Sequence, residues 1–544
     1  MLNSRKITSD SIFCSFAYIY LTLPVCIFML GWLKPIFAIP SVILVVFCLF
    51  RILLSIHRSS SLSNKLFLSR YSVTKLVIAF IIIIIWVSLS GIGGASFQTS
   101  DHYWRNTIFE LLVKKTWPVR YEIATINGTT IHELIYYIGF WMPSALIGKV
   151  FGLHAGYMFQ AVWACIGCFI AYYLICRIFR NVRLWYLFLF VLFSGLDVIG
   201  AALLNYGIPT YMYYDGQSIF YPLSSTHLEW WCTFQFSSIT TQLFWVFNQA
   251  LPAWIATLLL IQREDNRYRI FILGCLLLCS PFPLVGLLPF VLYWIVKRQK
   301  GLFSFENVVG GGISGIVSFL YLRANSASQI HGTNAATLSF PVKYIVAAIV
   351  LLIIGGILYS FVRFKNQKKL LYLAGIVLLG IGLAYSVHAG FDFCVKIGVL
   401  GVFILLEAGV YYMLIFKYQK KEPLYYITFI WLCICPLLTV GSGQDFCMRA
   451  SVPALLFLYL MVTDTLIQTA KRHSYIHCAL ICIVLLIGAI TPVHEIYRSI
   501  RYTIDYRTSG VDILSNKVTE EDIMLADNFS GVRSGDKIYS LLFK

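Results

Sequence analysis

Charge is what this chain has least of. Charged side chains make up 12% of it, and only 24 of its 544 residues are acidic. A soluble chain carries about 25% charged residues, so much of the polar surface a water-facing globule needs is missing. Missing too are a long polar linker, an internal repeat and a low-complexity tract. The first apolar run starts near Ile12, passes Leu30 and is followed at once by another, which is not the pattern of a cleavable signal peptide. These absences exclude a string of soluble domains and a soluble enzyme with a membrane tail.

What is present is apolar. Hydrophobic residues make up 59% of the chain, and the mean hydropathy is +0.79. The apolar character runs from Ser11 to Pro492. The expected fold is all-α: a polytopic transmembrane helical bundle of about 13–15 spans. Candidate spans are 12–33, 36–56, 75–94, 155–176, 184–204, 237–262, 270–280, 283–296, 305–322, 342–362, 370–389, 395–416, 424–441, 451–470 and 475–491. The run 270–296 holds Pro281, Pro283 and Pro289 between two basic knots, which predicts a broken helical hairpin.

The net charge of +18 is a topology signal and not a nucleic-acid footprint. Basic residues recur as short knots between apolar runs, such as Arg177/Arg180/Arg183, Arg263/Arg267/Arg269 and Lys297/Arg298/Lys300. Short loops rich in Lys and Arg stay in the cytoplasm. The same alternation sets the stretch 133–151 as an amphipathic helix on the outer face. The loop 95–132 and the tail 492–544 are then external, the tail packing against the outer loops. Most of the 15 cysteines lie inside apolar runs as small core hydrophobes. Cys165 and Cys168 have metal-site spacing but no second pair. Cys232 and Cys447 both fall on the outer side, where a bridge is open to them.

Scarce carboxylates near lipid are where chemistry is sought. Asp101-His102-Tyr103-Trp104-Arg105 places a carboxylate, an imidazole and a guanidinium just past the third span. It is either an interfacial aromatic belt or a general base at a cavity mouth, since a carboxylate can take the proton of an attacking hydroxyl. Asp197 sits among apolar residues near a span end, functional or paired with an Arg. His227-Leu228-Glu229-Trp230-Trp231 joins a carboxylate to paired tryptophans, a sugar platform or an ordinary belt. Asp445 and Arg449 stand four apart, which suits a local ion pair. Alternatively Arg449 clamps a phosphate, the anion its planar fork fits best, and Asp445 orients it. Gly310-Gly311-Gly312 lacks the following Lys-Ser/Thr of a phosphate loop and reads as a helix-packing site.

These residues resemble the GT-C superfamily of membrane glycosyltransferases, best over 75–300. Asp101 matches the acidic residue that opens the family's long outer loop. Ala145-Leu146-Ile147-Gly148-Lys149-Val150-Phe151-Gly152 is similar to its surface helix, and Tyr173-Leu174-Ile175-Cys176-Arg177-Ile178-Phe179-Arg180 to its basic span end. Gly195-Leu196-Asp197 resembles the next element, which often carries a second acidic residue. The segments 241–252 and 445–451 also resemble a group of bacterial membrane proteins. The Asp-Glu pair of protein mannosyltransferases is Asp101-His102 here, which points away from protein O-mannosylation.

The resemblance implies a catalytic module over 75–300 with its outer loop at 95–154, preceded here by an extra N-terminal hairpin and cytoplasmic loop over 1–74 that depart from the family. Variable helices over 301–491 and an external tail over 492–544 complete it. It implies an inverting glycosyltransferase of the bacterial plasma membrane, facing outside. A polyprenyl-phosphate-linked sugar would be the donor, and a hydroxyl of a glycan, lipid or protein the acceptor. Asp101 and Asp197 are the expected catalytic residues, and His102, Arg105, His227, Glu229, Asp445 and Arg449 the expected substrate contacts. The resemblance fixes no cofactor and leaves a divalent cation open. The alternatives are a polymerase or ligase of undecaprenyl-linked glycans, or a lipid or oligosaccharide transporter.

Overall fold

The computed structural model describes residues 9–58, 70–125, 128–206, 227–263, 265–326, 391–438, 445–532 and 537–544. Expected spans 342–362 and 370–389 and the glycines at 441 and 443 lie outside them. Within them the protein is a helical membrane protein. Seven helices are long and apolar enough to cross a bilayer: Asp10–Trp32, Pro35–Arg58, Leu153–Ile178, Ile239–Ile261, Gly398–Gln419, Val452–Lys471 and Tyr475–Thr508. Four shorter apolar helices accompany them: Ser72–Ser88, Pro281–Lys297, Glu306–Leu322 and Pro423–Leu437. Lipid offers the backbone no hydrogen bonds, so apolar segments must satisfy their own as helices.

In chain order the elements are α1 (Ser9–Trp32), α2 (Pro35–Arg58), α3 (Arg70–Ser88), α4 (Ser100–Lys114), β1 (Arg120–Thr125), β2 (Gly128–Leu134), α5 (Met142–Phe151) and α6 (Leu153–Ile178). Then come α7 (Leu184–Val191), α8 (Asp197–Tyr206), α9 (Ile239–Ile261), α10 (Arg269–Leu277), α11 (Pro281–Lys297) and α12 (Glu306–Leu322, opening with a π turn). Next, α13 comprises Phe391–Ile404, a π turn at Leu405–Gly409 and Val410–Gln419. The last are α14 (Pro423–Ile434), α15 (Asp445–Ala450), α16 (Val452–Lys471), α17 (Tyr475–Gly488), α18 (Ile490–Thr508), α19 (Glu520–Leu525), β3 (Ser530–Val532) and α20 (Lys537–Leu542).

The two ends of α1 mark two ends of the molecule. At one, Asp10 accepts from Tyr173 at 2.9 Å and from Arg177, whose guanidinium also reaches Gln262. At the other, the Trp32 carbonyl accepts from Lys544 at 2.9 Å. The basic knots gather at the first end: Asn266 donates to the Lys300 carbonyl, and Ser304 to that of Arg267. The second end carries a small cap. Its antiparallel sheet has the order β1-β2-β3, with Arg120 opposite Glu133 and Leu134 opposite Ser530. The segment 492–544 thus packs on the 95–134 segment, and Lys517 bridges to Glu110 at 2.9 Å.

Three expectations need correction, and one open question is answered. The stretch 133–151 is not one helix. It finishes β2, turns at Gly139–Trp141 and enters α5, with Pro143 in the first turn, where its missing N–H is harmless. The span 184–204 is broken between α7 and α8, because Gly195 lies against Glu407. A Cβ there would come within 1.8 Å of Glu407 Oε2. The last span does not end at 491: α18 runs on to Thr508, with Pro492 in its first turn. The bridge open to Cys232 and Cys447 is absent, each thiol donating instead to a nearby carbonyl, of Phe234 and Gln235.

The hairpin is present. α10 and α11 leave and return to the basic end, where Asn266 meets Lys300, and they break at Leu278–Ser280. Gly311 packs on α10 so closely that a Cβ on Gly274 would sit 2.5 Å from its carbonyl, so Gly310 and Gly311 form a helix-packing site, whereas Gly312 has open space beside it.

Candidate functional site

Irregular backbone survives among membrane helices only where protein or a cavity receives it. Several such segments converge here. α9 loses helical geometry at Val246 (φ −134°, ψ 33°). The hairpin tip joins it, Ser280 Oγ donating to the Gln249 carbonyl at 2.7 Å. The Gly139–Trp141 turn donates from Gly139 to the Leu278 carbonyl. α15 packs on α11 where Gly286 lets the Ala450 carbonyl in; a Cβ would lie 2.1 Å from it.

Around these breaks stands a first group of charges. Arg105 Nη2 donates to Asp101 Oδ2 at 2.8 Å, and Arg449 Nη2 faces Asp445 Oδ2 at 3.2 Å. Arg449 Nη1 also donates to the Tyr137 hydroxyl, and its guanidinium lies 6.0 Å from the Phe282 ring centroid. Tyr137, Asp445, Tyr136 and Asp101 all act electrostatically on Arg449, against the cost of burying it. The structure therefore brings Asp101, Arg105, Asp445 and Arg449 into one neighbourhood. His102 joins them, 5.4 Å from the Phe247 ring, while Arg105 lies 5.5 Å over the same ring. Burial, and then the Arg105 guanidinium, hold His102 well below the ordinary imidazole range, so it is neutral.

The ion pairs do not explain why the guanidiniums are buried. Asp101 keeps 38% of its side chain exposed. A pair of that kind returns about 0.3–0.5 kcal/mol. Arg105 Nη1 and Arg449 Nε are buried without a partner among the described residues, as is His102 Nε2. A buried donor left unsatisfied costs about 1–3 kcal/mol, and more if charged. The cost exceeds the gain, so the ion pairs alone do not account for burying these two guanidiniums. Asn248 and Gln249, next along α9, add two buried amides whose nitrogens and oxygens are likewise unpartnered.

A second group holds Asp197, His227 and Glu229. His227 Nδ1 lies 2.7 Å from Glu495 Oε1, and its Nε2 lies 3.4 Å from Glu229 Oε2. Glu495 also accepts from Arg498 at 2.8 Å and from Trp245 at 2.9 Å. Glu229 accepts from Gln235 and from the backbone of Ser238, both at 2.8 Å. Among the described residues no arginine pairs with Asp197. It accepts from Ser194 at 2.9 Å and Thr491 at 3.0 Å and lies beside Glu407, which takes a bond from Trp231 at 3.3 Å. Burial works against a charge on His227, but Glu495 and Glu229 outweigh it and push its pKa up to about 10. Asp197 and Glu229 are about 1% exposed and fully engaged, whereas Trp230 is 47% exposed.

The two groups are distinct, and one turn of α9 joins them. Trp245 bonds Glu495 and packs on His227; two residues on, Phe247 lies under Arg105 and His102. Sequence reasoning missed Tyr137, Glu407, Glu495, Arg498 and the two amides. Glu407 carries a signal, being the one acidic residue in the run 395–416. Among the described residues no group of three or more His, Cys, Asp or Glu is arranged to hold a metal ion. Cys165 and Cys168 are buried free thiols. No family model matches the chain, and no curated protein or solved structure matches it either.

Proposed function

We propose that the chain is an inverting glycosyltransferase of GT-C type. It takes a sugar from a polyprenyl-phosphate donor to a hydroxyl of a glycan, lipid or protein, on the outer face of a bacterial plasma membrane. The observation that carries this reading is the corner of Asp101, Arg105 and Arg449: a half-open carboxylate beside two buried guanidiniums with unmatched donors. The capped end is the outer one if the basic knots keep to the cytoplasm.

In the proposed reaction Asp101 takes the acceptor's hydroxyl proton. The acceptor oxygen attacks the anomeric carbon from the side opposite the phosphate. The bond between that carbon and the phosphate oxygen breaks, its electron pair stays on the phosphate, and the configuration inverts. Charge grows on the leaving phosphate, and fixed cations placed there beforehand give the largest help. Arg105 and Arg449 fill that role, and Asp445 and Tyr137 hold Arg449 in place.

Asp101→Asn keeps size and shape and removes the proton acceptor. Transfer to a cell-surface glycan, assayed in membranes with a lipid-linked sugar pool, should fall by about 10²–10⁴-fold with donor binding intact. Arg449→Ala should weaken donor binding as well as turnover, because a phosphate clamp acts in the ground state too. Near-normal transfer by Asp101→Asn would remove Asp101 as the base.

The second group favours one other reading, a proton-coupled lipid or oligosaccharide transporter, since buried ionisable networks in membranes serve proton movement. The two readings part on product. A transferase releases polyprenyl phosphate, and a transporter moves its cargo chemically unchanged.

A further inference from the structure

The broken turn of α9 presents uncharged polarity that nothing in the described residues answers. Asn248 is 0% exposed and Gln249 1%, and the nitrogen and oxygen of both amides lack partners. Trp141 Nε1, buried and unpartnered as well, belongs to a ring 6.2 Å from Phe247. The two amides are bracketed by the anion-holding arginines. On one side Phe247 lies under Arg105. On the other, the Gln249 carbonyl holds Ser280, and Phe282, two residues further along, lies near Arg449.

Chemistry narrows what fits there. An amide offers two donors and an acceptor. A phosphate only accepts and an alkyl chain does neither, whereas each sugar hydroxyl both donates and accepts. We infer that Asn248 and Gln249 read the sugar, bonding its hydroxyl or acetamido substituents while Arg105 and Arg449 hold the phosphate beside it. This inference rests on the glycosyltransferase reading and names the part of that site that sets which sugar is accepted. A site built to bond a hydroxyl discriminates strongly, because an analogue lacking it leaves buried polar groups unpaired.

The test uses the full chain in lipid nanodiscs and the pair Asn248→Leu with Gln249→Met, close in volume and without polar atoms. The probes are undecaprenyl phosphate alone and undecaprenyl phosphate carrying glucose, galactose or N-acetylglucosamine. The wild-type protein should bind at least one glycosylated lipid about tenfold or more tighter than the bare phosphate. The double variant should bind both alike, keeping its grip on the bare phosphate. Its ligand-free Tm should stay level or rise, because apolar groups of the same shape replace unmatched polar ones. Retained discrimination in the variant overturns the inference. So does a lowered ligand-free Tm with loss of both lipids, which would make the amides structural. Wild-type protein that binds the bare phosphate but shows no preference for sugar overturns it too, and leaves the transferase reading standing. Wild-type protein that binds neither lipid overturns both.

Discussion

At the level of single residues, what is local is legible and what is assembled is not. The spacing of four in Asp445–Arg449 announces an ion pair, and the structure has it at 3.2 Å. Nothing local links His227 to Glu495, which lie 268 residues apart. Glu495 falls beyond the expected end of the last span because the apolar run stops at Pro492, whereas α18 carries on as a polar helix to Thr508. His227 also carries a testable pH dependence. Its pKa in the folded protein, about 10, lies above its ordinary 6.5. The stabilisation from its protonated form is therefore complete below pH 6.5 and is lost as pH rises through 10. Groups facing it are Glu229, Glu495 and, through Glu495, Arg498. The Tm of the wild-type protein should fall across this window, and His227→Gln should flatten that fall. An unchanged slope in the variant would mean that His227 is neutral between its two carboxylates.

Elements were readable by period and length, and their interruptions were not. Long apolar helices such as α1, α2, α6, α9 and α16 lie close to their expected ranges because lipid leaves the backbone no other solution. The α7–α8 break depends on α13 pressing Glu407 against Gly195, a contact between segments about 200 residues apart that no local period encodes. Gly195→Ala should therefore cost about 1–3 kcal/mol, the usual range for overpacking, read as a lowered Tm in detergent. Gly401 is the contrast. It lies mid-helix in α13 with nothing within 4 Å of an added Cβ. Gly401→Ala should leave stability level or raise it by about 0.5–1 kcal/mol. Equal effects from the two changes would count against the close contact.

For the molecule as a whole, charge distribution pointed to the end where the basic knots meet, and the small sheet escaped because its third strand is only Ser530–Val532. A three-residue strand has too few positions to show alternation, and its partner β2 straddles the expected boundary between the loop 95–132 and the helix 133–151. Two exposed positions test the sidedness: Asp512 on the capped end and Lys300 on the basic end. In a variant whose exposed Cys482 is replaced by Ser, Asp512→Cys should label with an impermeant thiol reagent in intact cells, and Lys300→Cys only after lysis. The reverse pattern would invert the orientation and place Asp101 on the cytoplasmic side.

The cap also sets a timetable. Thr107 bonds the Val518 carbonyl across 411 residues of chain, and β2 waits nearly as long for β3. At about 5–20 residues per second of synthesis, that gap is on the order of 20–80 s. Throughout it, the outer edge of β2 and the face of α4 that β3 and the 517–525 segment cover are left bare. An open strand edge invites pairing with the wrong chain. The newborn protein therefore passes through a long interval in which its first large loop needs a caretaker or a temporary partner. A ribosome stalled before residue 530 would leave that edge unpaired.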